Sequence, residues 1–391
     1  MIRPFRFATL PAIWFGTGRL SLLPGIVKGM GNSLLLVTGE RSFAASCYAR
    51  ELFEGFRKKN LQFHQVSISG EPTVEMIDQA VERFRTVPVQ VVVAIGGGSV
   101  IDAGKAISAM LTRDESVEVF LEGVGNQEHP GSKIPFIAVP TTAGTGSEAT
   151  KNAVIARVGP DGFKRSLRHD HFVPDIALID PELYLGCPEK VAVASGMDCF
   201  VQLTEAFLST GANPYTDALA LEGLNAIKRS LTAFLTDRND LNAATDMAFA
   251  ALTSGICLAN AGLGVIHGFA ASVGGMFDIP HGVICGSLMA AANEINVREL
   301  RRTGNNPDAL KKYAVLGRLF LETAHETDDY YVDGFIMFLR QLSAEFPLAG
   351  FSNFGVKSQD TEKICSLTAA KSNPVGLSPG DLMEILSSRL F

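Results

Sequence analysis

The 391 residues carry 34 Lys and Arg against 41 Asp and Glu, a formal charge of −7, with 47% hydrophobic and 19% charged side chains. That balance, without a Lys/Arg cluster, argues against nucleic acid or an anionic membrane as main partner and fits a globular chain long enough for two domains. No apolar run reads as long enough to cross a membrane and the N-terminus has no cleavage-like site. The six cysteines lie far apart without a CxxC pair, so a reducing, cytoplasmic setting is expected.

Residues 12–16 read as a short strand and 18–30 as a helix stopped near Gly29 and Gly31. The apolar run SLLLVT (33–38) reads as a buried strand ending at Gly39. A helix over 42–59, a strand over 63–68, a helix over 73–85 and a buried strand over 89–95 follow. A helix continues through 103–111, and the next strand is 134–139. Strand and helix in alternation predict a parallel sheet covered on both faces. A further strand pair is expected at 153–157 and 176–179, closing a first domain over 1–182.

After Pro188 the pattern changes to long Ala- and Leu-rich stretches of helical period, and β-branched runs disappear. Helices are expected over 190–209, 215–235, 241–258, 263–274, 282–294, 307–321, 331–342 and 360–370. The expected class is therefore α/β plus all-α, with a Rossmann-like parallel-sheet domain followed by an all-helical domain over 183–391.

Two glycine turns sit at strand ends. Gly96, Gly97, Gly98 and Ser99 open a helix containing Asp102 and Lys105, where backbone amides and the helix dipole suit a phosphate. A GGGS turn alone is equally compatible with a ligand-free strand-to-helix turn. The segment 140–150 concentrates Thr141, Thr142, Thr145, Ser147 and Glu148 around Gly144 and Gly146, again after a buried strand, where α/β sheets bind ligands. Cofactor choice turns on the end of the 33–38 strand. NAD enzymes commonly place an acid there for the ribose diol, which repels a 2′-phosphate. Gly39 removes that repulsion and Arg41 is placed to pair with the phosphate, which points to NADP, whereas Glu40 would restore NAD.

The stretch 262–286 holds His267 and His281, two of seven histidines, each followed by glycine. A continuous helix would separate them by about 21 Å, so a shared ion requires the chain to reverse. Gly274-Gly275 and Ile279-Pro280 are the expected breaks. On a second helical stretch, 195–206, Asp198 and Gln202 fall four apart on one face. Asp198, His267 and His281 form a two-histidine, one-carboxylate set suited to Fe2+ and acceptable to Zn2+, with positions left for water and substrate, and Gln202 adds the weaker amide oxygen.

Asp198, His267 and His281, together with GGGSVID at 96–102 and PTTAGTGSEAT at 140–150, resemble the iron-containing (group III) alcohol dehydrogenase family. The likeness runs from the first strand to about residue 290. It implies a dehydroquinate synthase-like fold with the active site in the cleft between domains, the 140–150 loop lining the pyrophosphate and nicotinamide, and Lys164 reaching the cofactor. It also implies metal- and NAD(P)-dependent oxidation of a small alcohol, or reduction of an aldehyde or ketone, by a homodimer whose first strand pairs across subunits.

Two positions depart from the family pattern. Gln202 stands where iron-dependent relatives have histidine, which blurs the metal's identity. Ala271 stands where many have a further histidine, so a proton relay through it is missing. Glu205, on the face of Asp198, reads as a structural carboxylate. His169 and His171 read as an exposed loop, and His64, His129 and His325 have no partners in sequence. Rival readings are a metal-independent reductase of the maleylacetate reductase type, a dehydroquinate synthase-like lyase, and a nucleotide-binding protein without turnover. The lyase requires a dense Lys/Arg set for a phosphorylated substrate, and 190–290 has few.

Overall fold

A computed structural model describes residues 2, 4–40 and 43–390. Arg41 and Ser42 lie outside the described residues, so the expected partner of a 2′-phosphate is not among them.

Six strands form one parallel sheet: β1 (Ala12–Phe15), β2 (Ser33–Gly39), β3 (Gln62–Ile68), β4 (Val91–Gly96), β5 (Phe136–Pro140) and β8 (Ile176–Ile179), in the order β1-β8-β5-β4-β2-β3. The central strands β2, β4 and β5 are apolar on both faces and nearly wholly buried, as a sheet covered by helices requires. Helices α1 (Leu23–Met30) and α2 (Cys47–Lys58) contribute to the core on one face. Helices α3 (Val74–Phe84) and α4 (Gly98–Met110) contribute to the other.

The chain passes from β2 outward to β3 and then back across to β4, so strand order reverses between β2 and β4. Register pairs Thr38 with Ile95 and Gly96 with Pro140. The carboxyl ends of β2, β4 and β5 are therefore level, and the crevice beyond such a reversal is where doubly wound sheets take ligands.

One expected strand pair is corrected. Residues 153–157 and 176–179 are both strands but do not pair: β8 joins the main sheet beside β1 and β5, while β6 (Asn152–Arg157) pairs antiparallel with β7 (Phe163–Arg168) as a separate hairpin. The β7 sequence FKRSLR has little apolar alternation, which hid it from periodicity.

The rest is helical: α5 (Glu189–Leu208), α6 (Pro214–Thr236), α7 (Leu241–Ala261), α8 (Val265–Met276), α9 (His281–Thr303), α10 (Pro307–Phe320), α11 (Asp328–Glu345), α12 (Thr361–Leu367) and α13 (Pro379–Ser387). Sequence periodicity missed α13 and ran α12 three residues too far. The expectation that no segment is long and apolar enough to span a membrane is also corrected, since α5 and α7 pass that test by length and composition. Their apolar windows are 89% and 67% buried inside the protein, which makes them core helices around which α6 and α9 pack.

Candidate active site

A cavity of about 500 Å³ opens at the carboxyl end of the sheet. One wall carries Gly98, Ser99, Asp102, Thr145, Ser147 and Lys164, and the facing wall carries Gln202, His267 and His281. Of the other positions singled out in the sequence, Gly96, Gly97, Thr141, Thr142 and Gly144 belong to the same two turns and Gly39 ends β2, but none of them is among the residues that line the cavity.

The first wall is built by two turns pressed together. A Cβ at Gly98 would come within 2.6 Å of Thr145 Oγ1, so only glycine lets the start of α4 meet the second loop. Gly146 has φ +61°, and a Cβ there would sit 2.4 Å from the Ala251 carbonyl of α7, so this loop also fits tightly against the helical half. Behind the loop lies buried Lys105, whose Nζ is 2.9 Å from Ser147 O, 3.1 Å from Thr150 Oγ1 and 2.8 Å from Asn152 O. Asp102 accepts from the Ser147 hydroxyl and, at 3.0 Å, from the Val154 amide. Asp102 and Ser147, read from sequence as cofactor contacts, thus spend these atoms in bracing α4 against the loop and β6. Burial pushes Lys105 down to about 8 and Glu148 up to about 7. Lys164 of β7 is ion-paired with Glu71 at the cavity edge.

On the second wall, α5 supplies Asp198, Gln202 and Glu205, all buried. His267 lies in the first turn of α8 and His281 begins α9. The reversal that brings them together occurs at Phe277–Pro280 only. Gly274 and Gly275 remain inside α8, a correction to the expected break, and their bareness lets β7 approach: a Cβ on Gly275 would be 3.1 Å from the Phe163 backbone. The two imidazole rings end 5.4 Å apart, centre to centre.

Glu205 accepts from the Ile266 amide at 2.8 Å and pairs with His267 Nδ1 at 2.7 Å. With that nitrogen's proton given to the carboxylate, Nε2 turns its lone pair toward Asp198 Oδ1, 3.6 Å away. His281 Nε2 lies 3.7 Å from the same oxygen. Asp198 Oδ1 and His267 Nε2 are buried and have no hydrogen-bond partner among the described residues. Buried acceptors converging without a donor are unfavourable unless a cation lies between them, so the donor set fits a divalent metal.

The electrostatics agree. Burial pushes Asp198 up, but His281 and His267 outweigh it and hold the carboxyl at about 2. Burial brings His281 down to about 4, which favours the neutral, ligating imidazole. For His267, burial favours the neutral ring, yet Cys285, Asp198 and Glu205 raise its proton affinity well above the usual value. A cation would compete with that proton for Nε2.

Gln202 donates through Nε2 to Thr145 O and to Ser254 Oγ, both at 2.9 Å. The carbonyl accepts only, so the amide is oriented with its nitrogen on the loop, and Oε1 is the atom left for a ligand. Two features escaped the sequence reading. Cys285 brings its sulfur into the Asp198–His267–His281 cluster, all four ligand atoms lying within 4.8 Å of one another; its position one helical turn after His281 was the available signal. Arg165, Arg168 and Lys371 also line the cavity. The scarcity of Lys and Arg over 190–290, which set the lyase aside in the sequence, therefore did not count the cations that β7 and the C-terminal segment bring to the cavity.

His129 is buried between Phe120 and Phe172 and accepts from the Gly131 amide at 3.0 Å, a packing role. His169 accepts from the His171 amide in a surface turn.

Comparison with known proteins accords with this geometry. The iron-containing alcohol dehydrogenase family model matches residues 11–181, and that family's C-terminal model matches residues 192–390. Long-chain-alcohol dehydrogenase 1 of Geobacillus thermodenitrificans is 31% identical over 70% of this chain and 68% of its own. NAD-dependent methanol dehydrogenase of Bacillus methanolicus is 26% identical over 97% of this chain and 98% of its own. The crystal structure of an archaeal alcohol dehydrogenase from a Red Sea brine pool superposes with a TM-score of 0.89 at 23% identity, covering 100% of this chain and 99% of that one, which speaks to the fold. With both halves of the sequence matched and the fold shared end to end, the chain belongs to the iron-containing alcohol dehydrogenase family.

Proposed function

We propose that this NAD(P)-dependent alcohol dehydrogenase interconverts a small alcohol and its aldehyde or ketone in the cleft between a nucleotide domain, 1–182, and a helical domain, 183–391. The observation that carries the site assignment is one cavity walled by the Gly98–Thr145 turn on one side and by His267, His281 and Gln202 on the other. A bound divalent cation would supply polarisation of the substrate oxygen, and a bound nicotinamide would supply the hydride donor or acceptor.

The chain's own residues do the rest. Asp198, His267 and His281 would hold the cation, and Glu205 fixes the His267 ring through Nδ1 so that Nε2 is left for it. The α4 amides at Gly98 and Ser99 receive the pyrophosphate with the Thr141–Ser147 loop beside it, and Lys164 adds positive charge. Leu258, Leu263, Ala270 and Ala271 give the substrate end apolar walls, which keep water from the reacting carbon. Ala271 has no ionisable group, so the alcohol proton leaves by water, the cofactor ribose or another group.

Cofactor preference is assigned to NADP, because Gly39 brings no carboxylate to the end of β2 while Glu40 beside it is exposed. Turnover with each cofactor tests this, and a large NAD preference overturns it. The enzyme is placed in the cytoplasm, consistent with six free cysteines. A homodimer is assigned because β1 is an edge strand with Ile13 40% and Trp14 42% exposed; light scattering of the purified protein checks it.

The decisive experiment measures bound metal and NAD(P)H oxidation with a panel of short aldehydes. One divalent ion per chain and turnover abolished by chelation are expected. Full activity in metal-free protein would replace this reading with the metal-independent reductase.

A further inference from the structure

We propose that Cys285 is a fourth protein ligand of the cation, entering as a thiolate from the buried side and tuning the site toward zinc rather than iron. The inference rests on the metal reading above. Cys285 follows His281 by four residues on α9, so one helix face presents both side chains. The sulfur is 3.7 Å from His281 Nε2. Tetrahedral coordination with zinc–nitrogen, zinc–oxygen and zinc–sulfur bonds of about 2.0–2.3 Å places neighbouring donors roughly 3.3–3.7 Å apart. The separations of 3.6 Å and 3.7 Å from Asp198 Oδ1 to the two imidazoles, and the sulfur distance, match that spacing.

A buried cysteine is ordinarily a small apolar filler, and here that role leaves a deficit. Asp198 Oδ1 and His267 Nε2 both lack partners among the described residues, and one thiol carries a single hydrogen. A cation bound to all four groups satisfies them together. Cys285 is fully buried and does not line the cavity, whereas His267, His281 and Gln202 do. The sulfur therefore leaves the cavity side open to a substrate oxygen. It also supplies a strong donor in a site where Gln202 offers only an amide oxygen.

On binding, the thiol S–H bond breaks, the proton passes to solvent and a metal–sulfur bond forms, with no change in oxidation state. Thiolate is a soft ligand, which favours zinc. With Asp198 it brings two negative charges to a dication, so the polarising power toward the substrate is milder than in a site of one carboxylate and imidazoles.

The test is cobalt(II) substitution of the full-length protein. Wild type is expected to show thiolate-to-cobalt charge transfer in the near ultraviolet beside the visible cobalt bands. Cys285→Ser is expected to keep the visible bands, lose the charge-transfer band and bind zinc on the order of 100-fold more weakly. Visible cobalt bands in wild type without charge transfer overturn the proposal while leaving the metal reading intact. Unchanged zinc affinity in folded Cys285→Ser and Cys285→Ala does the same. Failure of wild type to take up cobalt or zinc overturns both. Should the variants not fold, the wild-type spectrum still decides.

Discussion

The two walls of the cleft are finished to different degrees by the protein itself. On the sheet side, Lys105, Asp102, Ser147 and Thr145 bond to one another or to backbone, and the turn at Gly98 is held in shape without a ligand. On the helical side, Asp198 Oδ1 and His267 Nε2 face each other unpartnered. The first wall keeps its shape by its own bonds, whereas the second leaves buried acceptors that a cation would satisfy. Removing a helical-wall ligand should therefore abolish chemistry, while disturbing the sheet wall should weaken binding or stability by smaller amounts.

The largest effect is expected from His267→Ala or Asp198→Asn. Losing cation-based stabilisation, of about 4 kcal/mol, lowers kcat on the order of 1,000-fold, with metal content falling in parallel. Elemental analysis beside steady-state kinetics checks it. Near-normal metal and rate in either variant would put the cation elsewhere and erase the contrast between the walls.

Next comes Glu205→Gln, which keeps the shape but weakens the charge-assisted bond to His267 Nδ1. Loss of such a partner typically costs a metal site 10- to 100-fold in affinity. Zinc competition with a chromophoric chelator should show that shift, and excess metal should restore most of kcat. On the sheet wall, Gly98→Ala forces Thr145 away and opens the packed turns. The expected result is a rise in cofactor KM of about tenfold, from a clash of roughly 1–2 kcal/mol, with kcat and metal content little changed.

The contrast also explains what was readable in the sequence. Alternating apolar runs and two glycine turns announce the sheet half, because backbone geometry is written locally, and β2, β4 and β5 fall where the runs predict. Asp198, His267 and His281 were identifiable individually and by family resemblance. Their convergence depends on α5 packing against α9 and on the reversal at Phe277–Pro280, neither of which spacing alone encodes. Gly274 and Gly275 show the limit well: glycine suggested a break, yet here it serves the close approach of β7. Cys285 was read only as one of six cysteines without a CxxC partner, because spacing along the chain does not show that its sulfur faces Asp198 and His281. The hairpin strand β7 was lost because its charged residues point into a cleft that only the tertiary fold creates.

Glu148 is the exception on the sheet wall and gives the smallest predicted effect. Its Oε1 is buried without a partner, and burial raises the carboxyl to about 7. A carboxyl whose folded-state value lies above its unfolded value of 4.5 holds its proton more tightly when folded. Its contribution to stability is then fully present below about pH 4.5 and is lost as pH rises through about 7. Glu148→Gln keeps the shape and removes the titration. The attraction of Lys105 is already contained in that value, so the variant should be more stable than wild type at pH 8, by a few °C in Tm. At pH 4.5 the two should melt together. Thermal melts at both values check the sign: a variant less stable than wild type at pH 8 would mean that Glu148 is ionised and paired with Lys105, making the sheet wall as internally satisfied at this residue as it is elsewhere.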